Sequence, residues 1–378
     1  MSSESTAGAA SPLAGFTIAI TAARRSEELA ALLVRRGARV RSAAAIAMVP
    51  LADDTALRMV TDALIDEPPQ LLIATTGIGF RGWIEAAEGW GQADALLAAL
   101  ADARVISRGP KATGALRAAG LQEEWSPASE SSAEVLAHLS DGDLDGKRVA
   151  VQLHGAIEAW DPNPGFLSGL RERGAQVIGV PVYRWEQPAD TGAFDELIGE
   201  IAAGGVDAVT FTSAPAVASM LLRASEIGVS DALLAALRGP VVSYCVGPVT
   251  AAPLLAAGVD PVVPERMRLG ALARLVSEDL PARRPELRVA GRRVGIRAAA
   301  VVVDGQVREV SGSGLVILRA LAARPGDVVS RSDLLELLPV GGTDPHAVEV
   351  AVGRLRTALG AREIIGTVVK RGYRLAMD

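Results

Sequence analysis

The sequence contains few of the residue types that build metal and redox sites. Among 378 residues there is one cysteine, Cys245, and there are three histidines, His138, His154 and His346. A single thiol excludes an internal disulfide framework, and three histidines without a thiol cluster do not suggest a metal site. We therefore expect neither a bound metal nor a cofactor.

The sequence also predicts neither a membrane span nor a secretory leader. The longest uncharged stretch, Gly239 to Val259, is interrupted by Pro240, Pro248 and Pro253, so it is not expected to cross a bilayer. The N-terminal residues Met1 to Ser11 lack both a basic region and an apolar core. We therefore expect a cytoplasmic protein.

What the chain does contain is the composition of a folded protein. Hydrophobic residues make up 49% and charged residues 22%, which excludes a disordered, collagen-like or coiled-coil chain. At roughly 100 to 200 residues per domain, the length predicts two or three domains.

Charge is distributed unevenly along the chain. Residues 1–280 contain 22 Lys and Arg against 34 Asp and Glu, a net charge of −12, whereas residues 281–378 contain 16 against 10, a net charge of +6. A basic segment in an acidic protein is a hint of polyanion binding, although a solvated arginine-rich surface gives the same balance. Charge alone does not distinguish polyanion binding from a solvated surface, so a sequence motif is needed.

The first 280 residues contain an internal repeat. The run LLIATTG, with Thr75 and Thr76, recurs as AVTFTSA, with Thr212 and Ser213, at an offset of 137 residues. The turn GPKATGALRAAGL recurs as GPVTAAPLLAAGV, which begins at Gly247, at an offset of 138. These matches indicate a duplication.

Each repeat alternates short β-branched runs with helical segments, a pattern typical of parallel sheets covered by helices. In such sheets the residues after the carboxyl ends of strands face the ligand crevice. Thr75, Thr76, Thr212, Ser213 and Gly247 are therefore candidate ligand-binding residues. Hydroxyls and free N–H groups beside helix N-termini suit an anion, although helix capping alone also explains Ser and Thr at such positions.

Together with IGVPVYRW, these motifs resemble uroporphyrinogen-III synthase, the haem-pathway enzyme that cyclises a linear tetrapyrrole with inversion of one ring. The resemblance covers residues 14–280. It implies two doubly wound α/β lobes, the first discontinuous, joined by antiparallel linkers near Ile46–Leu51 and Val180–Pro188.

The resemblance also implies a ligand in the cleft between the lobes. Tyr183 matches a tyrosine that assists loss of the substrate hydroxyl, so it is the catalytic candidate if the chain is an enzyme. Thr250 matches a cleft threonine, and Arg24 and Arg25 follow the first strand, where the family carries an arginine.

The basic tail has its own pattern of elements. Asp304-Gly305 predicts a hairpin turn, Gly314 to Ala323 a helix, and Ser330 or Ser332 caps the next helix. Asp344-Pro345 is a strong start for a third helix, which ends at Leu359.

That third helix has two different faces. Val348, Val352, Leu355 and Leu359 form one apolar stripe, and the opposite face carries Val350, Arg354 and Thr357, with Arg356 on its flank. A guanidinium beside a small apolar group suits the major groove of DNA. The following hairpin has a basic tip at Lys370 and Arg371.

The tail resembles the α+β winged helix-turn-helix effector domain of the OmpR/PhoB class in three runs, VVSRSDLLELL, AVEVAVGRLRTALG and VVKRGYRLAMD. By this resemblance Val350, Arg354 and Thr357 contact bases, Arg331 and Arg356 contact the DNA backbone, and Lys370 with Arg371 enters the minor groove.

The predicted domains follow in order. They are a disordered N-terminus (1–13), the bilobal domain (14–280, with lobe 1 at 14–48 and 186–280 and lobe 2 at 52–182), a linker (281–290) and the winged-helix domain (291–378).

Three hypotheses remain open. The first is a transcription regulator that uses the bilobal domain as a sensor, like actinobacterial regulators of this fusion type, some of them linked to nitrate and nitrite assimilation. The second is an active uroporphyrinogen-III synthase with an appended DNA-binding domain, and the third is a protein-interaction platform. The partners expected are promoter DNA, a small anionic or tetrapyrrole ligand, a co-regulator protein and a second copy of the chain on DNA.

Overall fold

The computed structural model describes residues 11–51, 55–128, 131–139, 144–155, 165–338 and 346–378. They divide into two compact units. The second unit spans Ile46–Ala189, and the first unit comprises the chain up to and including Ala45 and from Asp190 onward. Leu13, at the end of the segment predicted to be disordered, is fully buried and its N–H donates to Arg36 O. Order therefore begins before residue 14, because Leu13 packs into the core of the first unit.

The first unit contains a four-stranded parallel sheet of order β10-β9-β1-β2. With elements numbered along the chain, its strands are β1 (Thr17–Ile20), β2 (Arg39–Ser42), β9 (Ala208–Phe211) and β10 (Val242–Cys245). The helices that accompany it are α1 (Ser26–Val34), α8 (Gly192–Ala202), α9 (Ala214–Glu226), α10 (Ser230–Arg238), α11 (Pro248–Ala256) and α12 (Leu269–Arg283).

The second unit contains another four-stranded parallel sheet, of order β5-β4-β6-β7. Its strands are β4 (Leu71–Ala74), β5 (Arg104–Ser107), β6 (Arg148–Gln152) and β7 (Gln176–Val180). Its helices are α2 (Thr55–Asp66), α3 (Gly77–Gly89), α4 (Ala93–Ala101), α5 (Pro110–Ala118), α6 (Ser132–His138) and α7 (Phe166–Glu172).

The antiparallel linkers predicted from the resemblance are also present. Strand β3 (Ala47–Pro50) pairs antiparallel with β8 (Tyr183–Glu186), so that Pro50 lies opposite Tyr183. Both strands belong to the second unit.

The two parallel sheets are equivalent strand by strand. Strands β4 and β9, which the sequence repeat aligns, each lie second in their sheets, and β5 and β10 each lie at one edge. All residues of β1, β4 and β9 are buried, as expected for inner strands of a parallel sheet covered on both faces. The α/β fold with two parallel sheets is therefore confirmed.

A third set of elements, the C-terminal domain (residues 287–378), follows α12 in the first unit. Its antiparallel sheet consists of β11 (Leu287–Val289), β12 (Arg292–Ile296), β13 (Val301–Val303) and β14 (Gln306–Arg308). The remaining elements are α13 (Gly312–Ala323), α14 (Arg331–Glu336), α15 (His346–Leu359), a 3-10 turn (Arg362–Ile364), β15 (Ile365–Val368) and β16 (Gly372–Leu375).

This order of elements is that of a winged helix-turn-helix. Asp304 and Gly305 have φ values of 48° and 80° and form the predicted hairpin turn between β13 and β14. Ser330 caps α14, since its side chain accepts from Asp333 N at 3.1 Å. Asp344-Pro345, the predicted start of α15, lies outside the described residues.

The predicted linker, residues 281–290, differs from the structure. Helix α12 continues to Arg283, and β11 begins at Leu287. Leu280 is buried in the core of the first unit and Val289 in the core of the C-terminal domain. Only residues 284–286 therefore lie between α12 and β11, and the elements on both sides are packed into a core.

Within the ranges that the structure describes, no helix combines the length and apolarity needed to cross a membrane.

Candidate functional site

In the second unit, hydroxyl groups gather at the carboxyl ends of β4 and β6. Thr75 Oγ1 donates to Gln152 O at 2.6 Å, and Thr76 N donates to Gln152 Oε1 at 3.0 Å. Thr76 Oγ1 lies 3.2 Å from the phenolic oxygen of Tyr183. The structure thus places three predicted residues, Thr75, Thr76 and Tyr183, in one hydrogen-bonded group.

Gln152, which holds this group together, was missed by sequence reasoning. Its side chain is fully buried. The signal was present in the run RVAVQ, since a polar residue that ends a buried strand is placed at the ligand edge of a parallel sheet. Its partners lie 76 and 77 residues away, which no local pattern indicates.

The first turn of α3 is unusually close to α5. Thr76 caps α3, because its Oγ1 accepts from Gly79 N at 3.1 Å. A Cβ added at Gly77 would lie 2.1 Å from Lys111 O, and one added at Gly79 would lie 2.1 Å from Gln152 Nε2. Only glycine fits these two positions without a shift of the backbone or of Gln152.

In the first unit the corresponding strand ends are arranged differently. Thr21 Oγ1 donates to Thr210 O at 3.0 Å, a contact between β1 and β9. Thr212 and Ser213 are half-buried, and the Ser213 side chain makes no capping hydrogen bond to α9. Its hydroxyl is not needed for the helix start.

The other candidates of the first unit are also placed near strand ends. Gly247 and Thr250 are buried at the start of α11. Arg24 and Arg25 are exposed after β1, and Arg25 pairs with Glu28 at 2.7 Å. A cleft shared between the two lobes stays a prediction.

Cys245, at the end of β10, is a packing residue. It is fully buried, and burial raises the pKa of its thiol to about 12. Thiolate is therefore scarce near neutral pH, which removes the nucleophilic form of the side chain.

Helix α15 has the two faces expected from its sequence. Val348, Val352, Leu355 and Leu359 are buried. Arg354 and Thr357 are exposed, and Val350 is 38% exposed. Thr357 Oγ1 donates back to Gly353 O at 3.1 Å, whereas the Arg354 guanidinium has neither a hydrogen bond nor an ion pair with any residue in the described ranges.

Arg356 and Arg331 have partners inside the domain. Arg356 donates to Ile365 O and, at 2.8 Å, to Thr367 Oγ1, which attaches α15 to the first strand of the β15–β16 hairpin. Arg331 Nε lies 3.4 Å from a carboxylate oxygen of Glu349. Both guanidinium groups also lie near the Tyr373 ring: the distance to the ring centre is 5.6 Å for Arg331 and 5.9 Å for Arg356. The two arginines therefore contact the hairpin and hold it against the helices. Their contact with a DNA backbone stays a prediction.

The tip of the hairpin carries positive charge that has no ion-pair partner among the described residues. Lys370 and Arg371 are exposed, and Lys370 adopts a left-handed conformation with φ of 60°. Gly372, with φ of +143°, passes so close to Val329 that an added Cβ would lie 2.0 Å from its carbonyl oxygen. Arg374 on β16 is exposed as well and was missed by sequence reasoning, although its alternation with buried Tyr373 and Leu375 indicated it.

Comparisons with known proteins match the two parts separately. The family described as Uroporphyrinogen-III synthase HemD matches residues 27–274, and the family described as Transcriptional regulatory protein, C terminal, matches residues 305–375. The chain is 30% identical to the uncharacterized protein YjjA of Bacillus subtilis over 264 residues, which are 69% of this chain and 94% of that protein.

A solved structure agrees with the first of these matches. A mutant uroporphyrinogen III synthase from Thermus thermophilus is 29% identical to the chain, with a TM-score of 0.58 over 71% of this chain and 99% of that one. The chain therefore belongs to the uroporphyrinogen-III synthase HemD family and carries, after that domain, an OmpR/PhoB-type transcriptional regulatory domain.

Proposed function

We propose that this protein is a cytoplasmic transcription regulator that binds promoter DNA through its C-terminal domain. The observation that carries the proposal is the unpaired Arg354 guanidinium on the exposed face of α15. An arginine in a major groove donates two hydrogen bonds to one guanine, which requires that its donors are not already engaged.

The hairpin after α15 supports the same proposal. Arg356 fixes the hairpin against α15, so the two elements present one continuous surface. Lys370, Arg371 and Arg374 add three exposed cations to the hairpin, and cations in such a place neutralise phosphates. The tip between β15 and β16 has only three residues, 369–371, and is short enough to enter a minor groove beside the helix.

The test uses a promoter fragment recovered by genome-wide occupancy of the tagged protein. We expect Arg354→Ala to cost about 1 to 3 kcal/mol of specific binding, measured by fluorescence anisotropy. Arg288→Ala is the matched control, since Arg288 is an exposed arginine of the same domain on β11. Equal binding by the wild type and the Arg354 variant would remove α15 from the interface.

We propose further that the HemD-family domain acts as a ligand sensor or an interaction platform. A small anionic or tetrapyrrole ligand, or a co-regulator protein, would shift the population of DNA-binding states in a pair of chains bound to a repeated operator. Genes of nitrate and nitrite assimilation are the first to examine among the occupied sites, on the resemblance alone.

A second candidate function is synthase activity, favoured by the contact between Tyr183 and Thr76. A phenol hydrogen-bonded to a hydroxyl is in a position to give a proton to a departing hydroxide. Under this hypothesis the purified chain converts hydroxymethylbilane to the type III isomer, and Tyr183→Phe slows the reaction. Formation of the spontaneous type I product alone would reject it.

A further inference from the structure

A cavity of about 490 Å³ lies in the first unit where the HemD-family domain meets the C-terminal domain. Asp207 and Pro240 line it from the HemD-family domain, Arg297 and Arg319 from the C-terminal domain, and Arg284 from the segment between them. Its volume falls in the range of small-molecule sites. It lies at the amino ends of β1 and β9, the edge opposite to the strand ends considered above.

The charge of the wall is strongly positive. Three guanidinium groups face the cavity with one carboxylate, and no carboxylate in the described ranges lies within ion-pair distance of Arg284, Arg297 or Arg319. The carboxylate is occupied by backbone donors, since Asp207 accepts from Thr17 N and from Ala298 N, both at 2.8 Å.

Arg297 is the most unusual of the three arginines. Its side chain is only 6% exposed, it packs over the Phe16 ring at 4.1 Å, and it donates to Arg284 O at 2.8 Å. Its Nε atom is buried without a hydrogen-bond partner in the described ranges. A buried guanidinium without a paired carboxylate is costly, and burial lowers the pKa of Arg297.

We infer that this cavity binds a small anion through carboxylate or phosphate oxygens. Arg284 donates to Pro240 O and Arg319 to Ala298 O, so these guanidinium groups contact neutral carbonyl oxygens and no carboxylate. An anion would supply the negative charge that the wall lacks and an acceptor for donors such as Arg297 Nε. Arginine recognises both oxyanions with paired hydrogen bonds, so the wall suits either. Because the wall residues come from both domains, the bound anion fastens the junction between them, whether or not DNA is present.

The experiment is calorimetric titration of the full chain, at fixed ionic strength, with inorganic phosphate and separately with citrate. Arg319→Gln is the main variant because Arg319 is exposed at the rim of the cavity, and we expect it to weaken binding about tenfold or more. Arg288→Gln is the matched control and leaves the affinity unchanged. Asp207→Asn removes the one negative charge from the wall, which would repel the anion, and therefore strengthens binding.

The two titrations separate the sources of the ligand. Phosphate binding alone indicates a phosphorylated ligand, and citrate binding alone indicates a carboxylate metabolite. The inference is overturned if neither anion binds with a dissociation constant below about 1 mM. It is also overturned if Arg319→Gln and Arg284→Gln, each with a wild-type circular dichroism spectrum, bind as the wild type does.

Discussion

The two repeats place the same hydrogen bond at the amino edge of each sheet, and its surroundings differ. Gln70 Oε1 accepts from Arg148 N at 2.7 Å, and the residue 137 positions later, Asp207, accepts through Oδ2 from Thr17 N at 2.8 Å. Gln70 is exposed, whereas Asp207 is only 3% exposed and accepts a second bond from Ala298 N of the C-terminal domain. The backbone contact therefore belongs to the duplicated fold, and the buried carboxyl belongs to the repeat that contacts the C-terminal domain.

At the carboxyl edges of the two sheets, the helices that follow β4 and β9 begin differently. In the second unit α3 starts with Gly77, and its Thr76 cap is bonded to Gly79 N. At the equivalent positions of α9 the first unit has Ala214 and Ser213, whose side chain makes no capping hydrogen bond. The second unit thus has a tight helix start with a bonded cap, and the first unit has neither at the equivalent positions.

The largest expected effect tests that tight approach. Gly77→Ala places a Cβ 2.1 Å from Lys111 O, so it should destabilise the second unit by about 2 kcal/mol or more, as overpacking does. Ala214→Gly, the mirror change in the first unit, should cost only about 0.5 to 1 kcal/mol. Urea unfolding of the full-length variants measures both, and equal losses would contradict the difference between the repeats.

The next effect is the pH dependence of stability that Asp207 contributes. Burial raises the pKa of this carboxyl, so the folded state holds its proton more tightly than the unfolded chain. Its contribution to stability is present below the ordinary Asp pKa of about 3.9 and is lost as pH rises through the raised value, with a slope of at most about 1.4 kcal/mol per pH unit.

The matched variants for this prediction are Asp207→Asn and Gln70→Glu. The free energy of unfolding of the wild type relative to Asp207→Asn should decline as pH rises above the ordinary Asp pKa of about 3.9. Gln70→Glu, at an exposed position, should show no such decline. A flat difference between wild type and Asp207→Asn would show that the carboxyl is not desolvated.

The smallest effect concerns the two helix caps. Thr76→Ala should cost about 1 kcal/mol because Gly79 N loses its acceptor, and Ser213→Ala should change stability by less than about 0.5 kcal/mol. Thermal unfolding of both variants gives the comparison. A comparable loss for Ser213→Ala would mean that its hydroxyl has a structural role as well.

Most of the fold could be predicted because short segments of the sequence indicate its elements. The duplication shows as a constant offset, and the Asp304-Gly305 turn shows as a dipeptide with a known backbone preference. The apolar stripe of α15 shows as helical spacing.

The contacts that adapt the fold could not be predicted in the same way. Arg356 looked like a surface cation by its position on α15, but the hairpin that it braces is formed by residues about ten positions further on. Gln152 and Asp207 contact partners 76 and 190 residues away. Their roles depend on which elements the fold brings together, and a single sequence does not state that.

The short connection after α12 has a consequence for any paired binding of this protein. Only residues 284–286 lie between α12 and β11, and Arg284 is bonded to Pro240 O, so the C-terminal domain has little freedom to turn relative to α12. Under the proposed function, two C-terminal domains attached in this way should tolerate little change in helical phase. Inserting about half a turn of duplex, roughly 5 base pairs, between two operator half-sites should then abolish their joint occupancy.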